Sequence, residues 1–425
     1  KDLNIEKSKR LFSRAIDIIP GGSQTNSLRP QGYAFGAYPI YFERGVGSHV
    51  WDVDGNEYID YICHAGPIIL GHSYPRVVEA VKEQLEKMTV SPLLHPLEVE
   101  VAEEIIKTVP CAEMVRFLKT GGMACDAAVR TARAYTDREI VIHRGWHGMQ
   151  DWFAASYPEG HPLRRGVPRV LSNYTITWNS DLAALEDILR VKGKEVACVI
   201  IAPSHLREAK EEKFRANQAF LKGLRELVDQ YGILLIFDEV VTGFRISLGG
   251  AQEYYGVTPD LACFAKAMAN GMPISALTGR KEVMNVVKDI FVTTTYGGEC
   301  LSLAGALATI RELREKKALD HVWKIAEQVR EGCNRVAHEL GVEAPSDGLF
   351  SFRFESEDPE FQSNVRHLFL QEMARRGVLC GRDFVTYSHS RKDAERTIDA
   401  FEETLKFIKD AYEKGDIASR IRKSL

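Results

Sequence analysis

Two residues stand out for the chemistry they could do together. Asp238 closes the apolar run Leu234-Leu235-Ile236-Phe237-Asp238-Glu239-Val240, and Lys266 is the lone charge in the stretch from Leu261 to Thr278. An acid at a strand end and an amine about one helical connection later suit pyridoxal phosphate. That cofactor takes a lysine as its Schiff-base partner and an acid at its pyridinium nitrogen. A carboxylate there keeps the nitrogen protonated, so the ring can accept electron density from a substrate carbon. The amine must be a nucleophile, which a dry setting favours, and Phe264, Ala265, Ala267 and Met268 around it are apolar. Each residue also has an ordinary alternative: Asp238 as a strand-end acid capping a loop, Lys266 as a surface lysine on a helix.

Three further stretches fit the same cofactor. Thr120-Gly121-Gly122 follows the strand-like Val115-Arg116-Phe117-Leu118 and opens a helix, where unpaired backbone amides and the helix dipole favour a phosphate. A tight turn also needs such glycines. His143-Arg144-Gly145-Trp146-His147-Gly148 follows the strand-like Ile140-Val141-Ile142. An aromatic there can stack on a pyridine ring, or simply pack in the core. Thr293-Thr294-Thr295-Tyr296-Gly297-Gly298 offers hydroxyls and amides for a phosphate, or is a polar loop.

The elements needed to bring these stretches together are legible as pattern. An amphipathic helix over 7–18 stops at Pro20, and Ser48 to Tyr61 alternates around Asp54-Gly55 as a β-hairpin. The acids of that hairpin do not make an EF-hand, because the glycine is misplaced. Helices are expected over 75–88, 96–108, 123–135 and 217–230, interleaved with strands at 115–118, 140–142, 196–201 and 233–237. Such alternation predicts an α/β fold with a mostly parallel central sheet and ligands at the carboxyl ends of its strands. Beyond about residue 302 come long helices over 302–315 and 319–340, a strand at Leu349–Phe354 and a closing helix through Ile398–Tyr412, a smaller α+β domain. The expected division is 1–60 (N-terminal segment and hairpin, packing with the small domain), 61–315 (large cofactor-binding domain) and 316–425 (small domain).

Composition narrows the function classes. At 425 residues the chain exceeds one ordinary core. A net charge of −4 gives no footprint for nucleic acid. No apolar run reaches membrane-spanning length and the N-terminus has no signal-peptide core. The eight cysteines are scattered without a C-x-x-C pair, which reads as reduced, buried thiols in a cytoplasmic protein. No metal site is expected. No G-x-G-x-x-G turn follows a strand, which counts against a nucleotide-binding oxidoreductase.

The whole chain resembles the class III (fold-type I) pyridoxal-phosphate-dependent aminotransferases, most closely the branch containing glutamate-1-semialdehyde aminomutase. The resemblance runs from residue 19 to about 400. It rests on Ile19-Pro20-Gly21-Gly22, Trp51-Asp52-Val53-Asp54-Gly55, Gly66-Pro67-Ile68-Ile69-Leu70-Gly71-His72 and Phe237-Asp238-Glu239-Val240-Val241-Thr242-Gly243-Phe244-Arg245. It implies a Schiff base at Lys266, Asp238 at the pyridine nitrogen and Val240 on one ring face. Trp146 stands on the other face with His147 beside it, and Gly121 and Gly122 lie at the phosphate. Thr295 would reach the phosphate held by the neighbouring subunit, implying a homodimer with shared sites. Arg29 falls near an arginine that grips a substrate carboxylate; Arg207 and Arg382 are the other candidates. His64, Ala65 and Tyr296 are the remaining substrate-side candidates. The implied activity is ping-pong transfer of an amino group between a small-molecule amine or amino acid and a ketone, aldehyde or keto acid.

The chain departs from that pattern at several positions. The phosphate loop reads Thr120-Gly121-Gly122-Met123, without the hydroxyl and carboxylate usual in relatives. A tryptophan common in the aminomutase pocket falls at Ala65. Ala202-Pro203 replaces Glu-Pro, and Trp146-His147-Gly148-Met149 replaces Tyr-His-Gly-Trp. Together these changes predict a site enlarged for bulky or less polar amines. The alternatives are an intramolecular aminomutase or racemase of the same fold, and a catalytically silent protein of this fold used for binding.

Overall fold

The computed structural model describes residues 3–422. They divide into two compact units, one of residues 3–74 and 320–422 and the other of 75–319. The chain passes between the two units at 74–75 and 319–320.

The first unit opens with the helix Glu6–Ile18, which buries Phe12 and Ala15 along one face and ends before Pro20. Strands β1 (Phe42–Val46), β2 (His49–Asp52) and β3 (Glu57–Asp60) form an antiparallel meander. The β2–β3 hairpin pairs Val50 with Tyr58. Asp52 fixes its turn by accepting from Asp54 N and Asn56 N.

The larger unit holds a seven-stranded sheet. Its strands are β4 (Met114–Leu118), β5 (Ile140–Arg144), β6 (Thr175–Thr177), β7 (Val196–Ile201), β8 (Leu234–Asp238), β9 (Leu261–Phe264) and β10 (Ser275–Gly279), in the order β4-β10-β9-β8-β7-β5-β6. Only β10 runs against its neighbours. Every residue of β7, β8 and β9 is buried, so these strands read as unbroken apolar runs rather than alternations. The helix Gly121–Thr136 covers the sheet with Ala124, Ala127, Ala128 and Ala132, small residues that let it lie close. The helix Cys300–Glu315 is buried almost throughout and packs on the helices Pro75–Lys87 and Pro96–Thr108.

The first unit closes with β11 (Val378–Leu379), which joins its sheet parallel to β3, and with the helix Arg391–Lys414. The strand expected at Leu349–Phe354 is not formed. That segment makes one isolated bridge, Glu343 to Arg353. Its alternating Phe350, Phe352 and Phe354 serve instead an aromatic cluster with Phe369 and Phe401. Phe350 and Phe352 are half-buried while Leu349 and Ser351 beside them are buried, so the period-2 pattern here marks neither a strand nor one buried face. The helices expected from 123 and 217 begin earlier, at Gly121 and Glu211. No helix among the described residues is long and apolar enough to cross a membrane. All eight cysteines are buried and none forms a disulfide.

Candidate active site

Asp238 is the last residue of β8 and pairs in parallel register with Cys263 of β9. Lys266 comes two residues after β9 ends, at the start of the 3-10 helix Lys266–Ala269. Acid and amine thus leave adjacent parallel strands at the carboxyl edge of the sheet, where such folds bind ligands. Lys266 holds φ +45°, and Asn270 φ +45° as well. A left-handed lysine costs on the order of 1–2 kcal/mol, and strain of this kind concentrates at functional positions.

Behind Asp238 lies a partner that ranked only as an accessory in the sequence. His147 Nδ1 is 2.7 Å from Asp238 Oδ2, and His147 Nε2 is 3.1 Å from the carbonyl of Arg144. A carbonyl only accepts, and so does a carboxylate. Both ring nitrogens therefore donate, which makes His147 an imidazolium. Burial alone would push this ring down. The hydrogen bonds to Asp238 and Cys125 and the charge of Asp238 outweigh that, holding it up at about 9. Asp238 Oδ1 accepts from Val240 N at 3.0 Å. His147 also stacks on Trp152, with ring centroids 6.0 Å apart. His143, next to it, is pushed down to about 4 by burial and then by the His147 charge. One ring is thus a cation at neutral pH and the other neutral, so Asp238 meets a single imidazolium.

The glycines of the expected phosphate turn are held by close approach. Thr120 caps the helix Gly121–Thr136, its side chain accepting from Met123 N, while the amides of the first turn lack helical acceptors. A Cβ at Gly121 would lie 2.7 Å from Val240 Cγ1, and one at Gly122 2.9 Å from Gln150 Oε1. Gly148, at φ +112°, would put a Cβ 2.7 Å from Gly122 Cα. Gln150 Oε1 is itself buried without a hydrogen-bond partner. A strand-end carboxylate backed by a cation and a helix N-terminus kept bare by glycine fit a ring with a basic nitrogen and an anionic arm.

The structure thus ties Gly121, Gly122, His147, Asp238 and Val240 into one neighbourhood, with Lys266 on the adjoining strand end. Trp146 is 61% exposed and touches Phe153 edge-on, so it is not the core residue its alternative reading required. Thr295 and Tyr296 are exposed on the loop before Glu299. Glu299 caps the helix Cys300–Glu315 and pairs with Lys119, beside the phosphate turn, at 3.1 Å. Arg29, His64 and Ala65 belong to the first unit. Cys63, His64, Ala65 and Gly66 all have positive φ, a left-handed turn fixed by Asp60 Oδ1 accepting from Ile62 N and Cys63 N. Of the three arginines, Arg207 donates to Ile246 O and Arg382 to Ser27 O, whereas Arg29 Nε is buried without a partner.

Sequence reasoning missed Cys125, Gly148, Gln150 and Glu239. Only Gly148 carried a signal, in its glycine. Glu239 is fully buried; burial pushes its carboxyl up even though it accepts from Thr242, Ala251 N and Gln252 N.

Comparison with known proteins bears on this arrangement. The family model for class-III aminotransferases matches residues 33–405. A glutamate-1-semialdehyde 2,1-aminomutase of Desulforamulus reducens is 35% identical over 421 residues, covering 93% of this chain and 96% of that protein. A 3-aminobutyryl-CoA aminotransferase of Cloacimonas acidaminovorans is 34% identical over 417 residues, covering 96% and 98%. A solved transaminase with PLP bound superposes with a TM-score of 0.84 at 27% identity, covering 99% of this chain and 100% of that one.

Proposed function

The chain belongs to the class-III aminotransferase family, and from that premise we propose that it moves an amino group from an amine or amino-acid donor to a separate ketone, aldehyde or keto-acid acceptor, in two half-reactions. Its cofactor is pyridoxal phosphate. The observation that carries this reading is the buried Asp238–His147 pair at the end of β8, one strand from Lys266.

When bound, the cofactor supplies an electron sink for the bonds at the substrate carbon. Asp238 would face the ring nitrogen, and the His147 cation would keep it a carboxylate there. Val240 and Trp146 would flank the ring. The first-turn amides at Gly121 and Gly122 would hold the phosphate. The Lys266 amine would hold the cofactor and would carry a proton to and from the reacting carbon as general base and acid.

Substrate choice is the finer part of the reading. Arg29, with its unpaired Nε, is the proposed contact for a substrate carboxylate, and His64, Ala65 and Tyr296 are the proposed substrate-side residues. The first unit has an open-mouthed cavity of about 480 Å³ whose mainly apolar wall includes Tyr33, Phe35, Tyr41 and Ile62, with Asp60, His64 and His72 among its polar groups. That apolar wall supports bulky, weakly polar substrates. We place the protein in the cytoplasm, on its eight buried, unbridged thiols. We also read it as a homodimer with shared sites. Leu93, Leu94 and Phe291 stand more than four-fifths exposed in the larger unit, as apolar surface awaiting a partner, and Thr295 is exposed for the neighbour's phosphate.

The test is a donor and acceptor screen with isotopically labelled donor nitrogen, run on wild type and Lys266→Ala. Label should appear in the acceptor's product only when a separate acceptor is present. Turnover should vanish in Lys266→Ala, with cofactor still retained. Isomerisation of one substrate without an acceptor would favour the aminomutase. Turnover in Lys266→Ala would end the assignment of that lysine.

A further inference from the structure

Cys125, His147 and Asp238 offer sulfur, nitrogen and oxygen atoms that all lie within 4.8 Å of one another, and all three residues are buried. They come from three elements: the helix Gly121–Thr136, the loop after β5 and the end of β8. Their outward atoms are already engaged. His147 Nε2 donates to Arg144 O, and Asp238 Oδ1 accepts from Val240 N. The atoms that face one another are the Cys125 sulfur, which also meets the Cys263 thiol, and His147 Nδ1 and Asp238 Oδ2, whose 2.7 Å hydrogen bond an ion would replace. A histidine whose second nitrogen donates to a backbone carbonyl is the usual setting of a metal-ligating ring. One thiolate, one imidazole and one carboxylate form a donor set suited to zinc, with a fourth position open.

We propose that in the cofactor-free protein Cys125, His147 and Asp238 bind a single zinc-type divalent ion, and that this ion and pyridoxal phosphate exclude each other at Asp238. The first half stands on the donor geometry. The exclusion rests on the reading of Asp238 as the partner of the cofactor ring. Binding releases two protons, one from the Cys125 thiol and one from His147 Nδ1, so metal affinity rises with pH.

The probe is cobalt(II), titrated into the full-length chain stripped of cofactor and, in parallel, into the holoenzyme. The expected result is a thiolate-to-cobalt charge-transfer band that saturates at one ion per chain in the stripped protein and is absent from the holoenzyme. The band should be lost in Cys125→Ala and in the closer replacement Cys125→Ser. It should survive in Cys263→Ala, which removes the neighbouring thiol on β9. Zinc at about ten times its dissociation constant should weaken cofactor rebinding about tenfold in wild type and not in Cys125→Ser. A missing band, or one that persists in Cys125→Ala, overturns the site. A band of equal strength in the holoenzyme overturns the exclusion. None of these readouts involves turnover, so they stand apart from the amino-transfer assignment.

Discussion

His147→Asn separates the charge of the ring from its hydrogen bond. Asparagine can still donate an N–H to Asp238 but carries no charge. His147 is 2% exposed, so solvent screens the pair little. Raising the imidazole from 6.5 to about 9 corresponds to roughly 3 kcal/mol favouring the charged ring, at about 1.4 kcal/mol per pH unit. If about half of that interaction is felt where charge develops at the ring nitrogen, kcat/KM falls about tenfold in the asparagine variant. In His147→Ala, which also strips the hydrogen bond, it falls about a hundredfold. The assay is single-turnover reaction with an amine donor, followed by the cofactor's absorbance.

The same pair sets a stability test whose sign is fixed. His147 has a folded-state pKa raised above its unfolded value. Its contribution is therefore fully present below about pH 6.5 and is lost as pH rises through about 9. Wild type should exceed His147→Asn in thermal stability most at about pH 6, and the difference should fade by about pH 10. A difference that is flat across that range, with unchanged kcat/KM, would refute the imidazolium assignment.

Three other substitutions probe parts of the site. Gly148→Ala forces a side chain into a left-handed position with its Cβ 2.7 Å from Gly122 Cα, and should cost about 1–3 kcal/mol in denaturant unfolding while weakening cofactor binding; an unchanged midpoint would contradict the close approach. Glu239→Gln turns one of two buried acceptor oxygens into a donor facing either Ala251 N or Gln252 N, which should cost about 3 kcal/mol or more, and wild-type unfolding would mean the amides have other partners. Ala65→Trp adds bulk at a residue already at φ +62°, so it adds no new backbone strain; the accepted amines should narrow to small ones, and an unaltered range would count against an enlarged pocket.

The sheet was legible where a strand lies between turn residues and a helix, as at 115–118, 140–142, 196–201 and 233–237. It was not legible at Leu261–Phe264 or Ser275–Gly279. Both strands are buried on both faces, so neither has a period, and the stretch between them reads as one uncharged run with a lysine in it. Phe350, Phe352 and Phe354 failed in the opposite way: they have the period of a strand and no ladder to join. A two-residue repeat reports only where the apolar side chains fall; burial and hydrogen-bond pairing are set by what lies alongside, and here Leu349 and Ser351 are buried while Phe350 and Phe352 are half-buried.

Asp238 and Glu239 show the same limit at the level of chemistry. They are adjacent carboxylates after one apolar run, and composition cannot tell them apart. Asp238 ends β8 and Glu239 lies just past it, and the two acids have different surroundings. Glu239 is absorbed by the amides that open the short helix Gly250–Tyr255 and does structural work. Asp238 meets a cation and keeps a face toward the sheet edge. What distinguishes the functional acid is therefore His147, which lies 91 residues earlier in the chain. Its own role depends on Arg144 O occupying its second nitrogen. Local pattern could nominate Asp238 as an acid at a strand end, but only the fold could supply the partner that keeps it charged.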